Sequence, residues 1–293
     1  MVTAGLGLLL YPDIRTVLLN KETDRLISGF EKAYESKETE QPGKSSGQTS
    51  GERGDLIKGT DSLRDAVGRY NTYIYENRQA DFKDAWSVEQ VPIPLRGLKS
   101  EIFGYIEIPA MGIRLALYPG ADEEHMAKGA AILGAASLPV GGRNTNSVIA
   151  GHRGYRGAPY FRDIEKLKPS DEIRITNPWE TLCYYVESAA VIAPDDSDAV
   201  KIQEGKDMVT LLTCHPYRSH GAYRYVVYCV RADEVQDGFA ENISCESSQG
   251  DIQREQLLRK SGVLLILGFS GAAALRKLRL KKKGEQKRKM EEG

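Results

Sequence analysis

Apolar positions follow three different rhythms along this chain. Between residues 102 and 233 they come in short runs divided by Gly, Pro and Asn, at residues 105–108, 114–117, 148–150, 172–176, 181–186, 209–213 and 224–230. Many short strands at this spacing predict a β-barrel or sandwich, not an alternating α/β sheet. Residues 123–129 and 160–167 read as short helices within it. Ahead of this region the spacing changes to three or four residues, at Leu18, Leu19, Leu26, Ile27, Phe30 and Tyr34, and again at Leu63, Ala66, Val67, Tyr70, Tyr73 and Ile74, with Asp61 as N-cap. That predicts two amphipathic helices that pair or lie against the main domain. The third rhythm is the uninterrupted apolar run at either end.

At the N-terminal end MVTAGLGLLLYP stops at Pro12, short of the ~20 residues that cross a bilayer, and no basic residue precedes Arg15. It reads either as the outer end of a membrane helix beginning upstream or as a short apolar arm. At the other end residues 261–275 are uncharged and a basic stretch follows. With Leu257 and Leu258 before and Leu278 and Leu280 after, a helix over 261–280 is expected to span a membrane while flanking Lys and Arg snorkel. The run has no polar face, which argues against a helix lying on the membrane surface. The basic end then lies in the cytoplasm and the barrel outside it.

The predicted organisation is an apolar segment (1–12), a helical region (13–78) with a polar, flexible insert (36–59), a connector (79–100), a β-barrel (101–235), a linker (236–260), a transmembrane helix (261–280) and a basic tail (281–293). The formal net charge of the 293 residues is −1. From Arg276 onward nine Lys or Arg face three Asp or Glu, so the rest of the chain is mildly acidic and nothing points to nucleic acid. Cys183, Cys214, Cys229 and Cys245 form no CxxC or other metal-ligand spacing, so neither zinc nor any other metal is expected. No nucleotide or haem motif appears, and no cofactor is expected.

The candidate chemistry centres on residues 208–230, MVTLLTCHPYRSHGAYRYVVYCV, a strand, a loop and a strand. Cys214 at the end of the first strand is placed like a nucleophile, and Arg224 at the mouth of the second can hold negative charge beside it. His152, in SVIAGHRG, is the one histidine of four that directly follows an apolar strand, and an imidazole suits a thiol's need for a proton partner near neutral pH. If Cys214 is free, three cysteines remain, so at least one further free thiol is expected. Cys183 and Cys229, both in predicted strands, are core thiols or a bridge.

These residues also carry a family resemblance. Thr210-Leu211-Leu212-Thr213-Cys214 resembles the TLxTC signature of sortases, Gly151-His152-Arg153 their catalytic-histidine segment, and Arg224 the arginine that completes the set. Phe103 to Pro109, Lys128 to Ala131, Ser137 to Gly142 and Ala193 to Asp196 resemble stretches of class C sortases in the same order. The resemblance implies a mainly β fold: a closed sortase-type barrel with short helices, preceded by the helical pair and, in class C, by an N-terminal membrane segment. It implies that Cys214 attacks a peptide carbonyl to give a thioacyl enzyme, that His152 shuttles the proton and that Arg224 stabilises the oxyanion. Leu212 and Thr213 are then expected to touch substrate.

The implied acyl donor is an LPxTG-like sorting signal cleaved between Thr and Gly. The implied acceptor is a pilin lysine, making a pilus polymerase at the cell membrane with its catalytic domain extracytoplasmic, or else a peptidoglycan-precursor amine. Asp84-Ala85-Trp86 resembles the class C lid, Asp84 towards the arginine and Trp86 over the thiol, without the usual middle proline; Asp81-Phe82 is a rival pair. Cys214 is followed by His215-Pro216-Tyr217-Arg218-Ser219-His220, where class C members commonly have Thr-Pro-Tyr-Gly. Arg218 thus competes with Arg224, and His215 or His220 with His152. A water-using thiol peptidase and a non-catalytic, membrane-tethered β module are the remaining alternatives.

Overall fold

Eight strands close on themselves because each offers an apolar face every second residue and no edge is left over. In chain order they are β1 (Gly104–Ile108), β2 (Ile113–Pro119), β3 (Ala130–Ile132), β4 (Thr145–Ala150), β5 (Glu172–Thr176), β6 (Thr181–Ile192), β7 (Asp207–His215) and β8 (Tyr223–Arg231). Around the barrel the order is β1-β2-β3-β4-β7-β8-β6-β5, and β5 returns to β1. The pairs β2/β3 and β4/β7 are parallel; the other six are antiparallel. This computed structural model describes residues 2–34, 50–80, 82, 95, 97–218, 221–232 and 248–265, together with 268, 271, 272 and 276.

Within the barrel region three elements depart from the sequence expectation. β3 is only Ala-Ala-Ile, too short to show an alternation. β6 runs on to Ile192 because an irregularity between Val186 and Ser188 resets its register with β8, and a strand that changes phase looks like a strand that ends. The helix expected at 160–167 is a single 3-10 turn, Ile164–Lys166.

Alternation divides the barrel into two apolar layers. Ile106, Leu115, Ile149, Ile173, Tyr184, Val209, Leu211 and Val227 are drawn from strands all around the ring and belong to one buried cluster, the interior. Their neighbours Tyr105, Ala116, Val148, Ala150, Leu212 and Val226 point outward and belong to a second cluster. Helix α1 (Val2–Tyr34) covers that outer layer with Ile27 and Phe30. Its Glu31 accepts hydrogen bonds from Tyr105 Oη at 3.0 Å and Arg114 Nη2 at 2.9 Å.

Helix α2 (Ser50–Glu76) packs Leu63, Val67, Tyr70 and Ile74 against the interior cluster. The Asn71 side chain pairs with the backbone of Leu138, donating to its oxygen at 3.0 Å and accepting from its nitrogen at 2.9 Å. Each predicted helix therefore lies against the barrel. Both are longer than the apolar spacing suggests. α1 continues through Pro12, and α2 already starts at Ser50, inside the stretch expected to be flexible, because a formed helix propagates at small cost per residue. Helix α3 (Glu123–Lys128) is capped by Asp122, whose Oδ1 accepts from His125 N at 2.8 Å.

A further helix, α4, occupies residues 249–265, of which 249–260 were expected to be linker. It exposes Leu257, Leu258, Leu264 and Leu265. No helix among the described residues is long and apolar enough to cross a membrane, and most of the expected span at 261–280 lies outside them. Cys183 and Cys229 are both free thiols, so no bridge joins them; Cys245 lies outside the described residues.

Two glycines test the packing. A Cβ on Gly104 would overlap the Thr176 carbonyl across the β1/β5 seam, whereas Gly68, on the exposed side of α2, has open space around it. Gly104→Ala is expected to destabilise the fold by about 1–3 kcal/mol, and Gly68→Ala to stabilise it by up to about 1 kcal/mol. Urea unfolding midpoints of the two variants against the parent check both signs.

Candidate active site

The side chains singled out in the sequence meet at one end of the β4-β7-β8 strip. β4 and β7 run parallel with Ala150 beside Leu212, and continuing that register two residues puts His152 level with Cys214. On the other side of β7, Cys214 pairs directly with Arg224 of β8, and directly opposed residues on antiparallel strands project to the same face. Parity fixes which face: Ala150, Leu212 and Val226 are outward-pointing, so His152, Cys214 and Arg224, two residues further along, point outward too. His152 and Cys214 line a cavity of about 340 Å³ on the outside of the barrel.

The loop between β7 and β8 passes close over the thiol and the guanidinium. Gly221 has φ +81°, and a Cβ there would lie 2.8 Å from Arg224 Nη1 and 3.2 Å from Cys214 Sγ. Arg224 Nη1 donates to the Gly221 oxygen at 2.7 Å. On the histidine side, the Tyr155 ring stacks on the imidazole with centroids 4.4 Å apart, and Tyr160 meets it edge-on at 6.1 Å. The Phe161 amide donates to the His152 oxygen at 2.9 Å, so ring and backbone are both held.

Beneath the outward-facing set lies a buried one, an ion pair with a histidine whose pKa is lowered by burial and by Arg153. Arg153 and His215 follow His152 and Cys214 in sequence, so they point the opposite way, into the mouth of the barrel. There Arg153 donates to Glu165, and its Nη1 lies 3.2 Å from His215 Nδ1 and 3.4 Å from the Cys214 carbonyl oxygen. His215 Nδ1 is 3.4 Å from Glu165 Oε1, and the side chains of Arg153, Glu165 and His215 are 3, 4 and 1% exposed. A further tie joins the two strand ends: Thr213 Oγ1 donates to the Gly151 oxygen at 2.6 Å.

Burial sets the proton equilibria. It raises the Cys214 thiol pKa, and the positive charges of Arg224 and then Arg153 offset part of that rise. Burial lowers the His152 pKa. Thiol and imidazole are therefore both neutral at rest near pH 7, and the thiolate has to be produced by proton transfer between them or by substrate-driven exclusion of water.

Placement separates the competing candidates. His215 is turned into the barrel and does not line the cavity. Arg218 lines the same cavity as Cys214 but is engaged in an ion pair with Glu255 of α4 at 2.9 Å, whereas Arg224 is the residue paired directly with Cys214 across β7 and β8. Leu212 and Thr213, expected to touch substrate, are fully buried and do not line the cavity: Leu212 packs in the outer layer and Thr213 is spent on the tie to Gly151. His220, Asp84, Trp86 and Asp81 lie outside the described residues. Phe82, from the rival lid pair, is buried in the outer cluster with Ile27 and Phe30.

No group of three His, Cys, Asp or Glu suited to a metal ion occurs among the described residues. Sequence reasoning passed over Tyr155, Glu165 and the 249–260 part of α4. Glu165 gave no distinct signal, because it stands among other charged residues, Arg162, Asp163 and Lys166.

Comparison with known proteins agrees with this geometry. A Sortase domain model matches residues 106–232. Sortase A of Bacillus anthracis is 29% identical over 157 residues, covering 52% of this chain and 72% of that protein. Among solved structures, the pilus-related sortase C of Group B Streptococcus is 29% identical with a TM-score of 0.56, over 70% of this chain and 95% of that one. The Clostridium perfringens sortase C solved with the C-terminal cell wall sorting motif is 34% identical with a TM-score of 0.53, over 62% of this chain and 95% of that one. With a closed barrel, a TLxTC strand end and a thiol, an imidazole and a guanidinium on one face, the chain belongs to the sortase family of cysteine transpeptidases.

Proposed function

We propose that this enzyme is a membrane-anchored, class C sortase that cleaves an LPxTG-like sorting signal between Thr and Gly and joins the new carboxyl end to a pilin lysine. The observation that carries the chemistry is the register of β4, β7 and β8, which sets His152, Cys214 and Arg224 side by side on one outward face. The Cys214 sulfur bonds to the Thr carbonyl carbon while His152 takes the thiol proton. Arg224, permanently charged, holds the oxyanion and has no role as a base. His152 then gives its proton to the departing Gly amine as the C–N bond breaks, leaving a thioester. The acceptor amine attacks that thioester, loses a proton to His152, and the thiol is restored.

Similarity to a pilus-related sortase C supports the pilin-type acceptor, and a relative solved with a sorting motif supports the donor class. Anchoring draws support from the uncharged run 261–275, the basic stretch after it and the leucines exposed on α4. On this reading the barrel lies outside the cytoplasmic membrane and the tail in the cytoplasm.

Two measurements test the reading. Mass spectrometry of the full chain with an LPxTG-type peptide is expected to show a thioacyl adduct on Cys214, and addition of a lysine-bearing pilin peptide a peptide–acceptor conjugate, both absent in Cys214→Ala. A conjugate with a peptidoglycan-type amine but none with the lysine peptide would move the enzyme to cell-wall anchoring. Arg224→Ala removes the nearest offset to burial, so the Cys214 pKa rises further. The pH profile of Cys214 alkylation is expected to move to higher pH, and turnover to fall by about 10²–10³-fold with the loss of one oxyanion donor. An unmoved profile would take Arg224 out of the thiol's neighbourhood.

A further inference from the structure

The barrel supplies only one side of the cavity around Cys214. The opposite side comes from the two terminal helices: Pro12 of α1 and Ile252, Glu255, Gln256 and Arg259 of α4. Both helices are fastened to the loops that leave the catalytic strand ends. After His152, Gly157 has φ +87° and comes so near α1 that a Cβ there would lie 2.8 Å from Pro12 Cα. After Cys214, Tyr217 donates its amide to Ser248 Oγ at 3.1 Å and its hydroxyl to Glu255 Oε2 at 3.0 Å, and Arg218 pairs with the other Glu255 oxygen at 2.9 Å. The helices are also fastened to each other, with Arg259 on Asp13 at 2.9 Å and Gly262 close to Leu9.

Along α4 the cavity-lining positions 252, 255, 256 and 259 recur at three- and four-residue spacing and so form one face. Two of the three polar or charged groups on that face are committed: Glu255 to Tyr217 and Arg218, Arg259 to Asp13. Gln256 is different. It lines the cavity, and its amide makes no hydrogen bond to any described residue. A primary amide carries both a donor and an acceptor, which suits the N–H and C=O groups of an extended peptide. Such groups need partners once they leave water. Beside Gln256, Ile252 is 1% exposed and offers an apolar contact.

We infer that α4, backed by α1, is the second wall of the groove for the acyl-donor peptide, with Gln256 pairing with the peptide backbone and Ile252 meeting an apolar side chain. The inference rests on the sortase reading and extends it: the substrate is a peptide held in extended form between the β7–β8 loop and a helix outside the barrel. Glu255 is a positioning residue, acting through the loop that follows Cys214.

The test uses the full chain and three readouts: KM and kcat for an LPxTG-type peptide, and the rate of Cys214 alkylation by iodoacetamide, which is too small to need the groove. Gln256→Ala is expected to raise KM about 2–12-fold, the loss of one hydrogen bond of about 0.5–1.5 kcal/mol, with kcat and alkylation unchanged. Glu255→Lys removes both ties to the loop and sets a cation beside Arg218; KM is expected to rise further than in Gln256→Ala while the thiol still alkylates. An unchanged KM in Gln256→Ala overturns the assignment. So does faster peptide turnover in Glu255→Lys, which would make α4 a cover over the site and not a wall of it. If the unsubstituted chain alkylates normally yet forms no thioester with the peptide, the sortase reading itself fails, and the groove with it.

Discussion

The site depends on a buried cluster of Arg153, Glu165 and His215, set behind the thiol and the imidazole. His215, whose pKa is lowered by burial and by Arg153, joins the other two as a neutral ring. Arg153 and Glu165 are almost wholly out of water, which costs several kcal/mol per ion unless the charges meet. They do meet, and Arg153 also approaches the Cys214 carbonyl. Arg153 belongs to the segment that carries His152, and His215 to the strand that carries Cys214; Glu165 comes from the 3-10 turn across the barrel mouth. Losing Arg153 or Glu165 strands a buried charge and costs about 3–5 kcal/mol, and losing His215 removes a polar partner from both, so the three segments have a strong preference for one mutual placement. Because neighbours on a strand project to opposite faces, clamping the inward-facing residues also aims the outward-facing thiol and imidazole.

That parity argument explains how much of the site was legible in the sequence. The strand–loop–strand around Cys214 and the strand before His152 are local patterns, and local patterns survive in one dimension. Choosing among four histidines and several arginines is a question of facing. Cys214 and His215 are adjacent, so if one points out the other points in, and His215 was a poor rival to His152 on that ground alone. The fate of Thr213 and Leu212 was less visible. One reaches sideways to the Gly151 carbonyl and the other inserts under the outer layer, and both depend on the parallel pairing of β4 with β7, which lie more than fifty residues apart.

The fold follows the same division. Strands with four or more alternating residues were readable, but Ala130–Ile132 was too short and the second half of β6 was hidden by its change of phase. The 249–260 part of helix α4 was invisible for a different reason. Hydrophobic periodicity finds the stripe a helix buries, and α4 turns Glu255, Gln256 and Arg259, with a single apolar Ile252, towards the barrel. A face that serves a wet cavity reads as a polar linker. Its partner α1 was split at Pro12, where the apolar run stops, although the helix runs through, with Thr16 Oγ1 donating to the Pro12 oxygen at 2.8 Å.

Electrostatics then give the outer wall a consequence for the chemistry. With the thiol raised and the imidazole lowered by the same burial, the neutral pair is the resting state, and the ionic pair needed for attack is a minor form. Whatever strengthens the field of Arg224 at the sulfur raises that minor population. A peptide filling the cavity displaces water between guanidinium and thiol, lowers the local dielectric and makes the same charge count for more. The barrel alone leaves that space open on one side. A wall made of the two terminal helices closes it, so a chain trimmed to its strands would keep a thiol and an imidazole in register and lose part of the means of charging them.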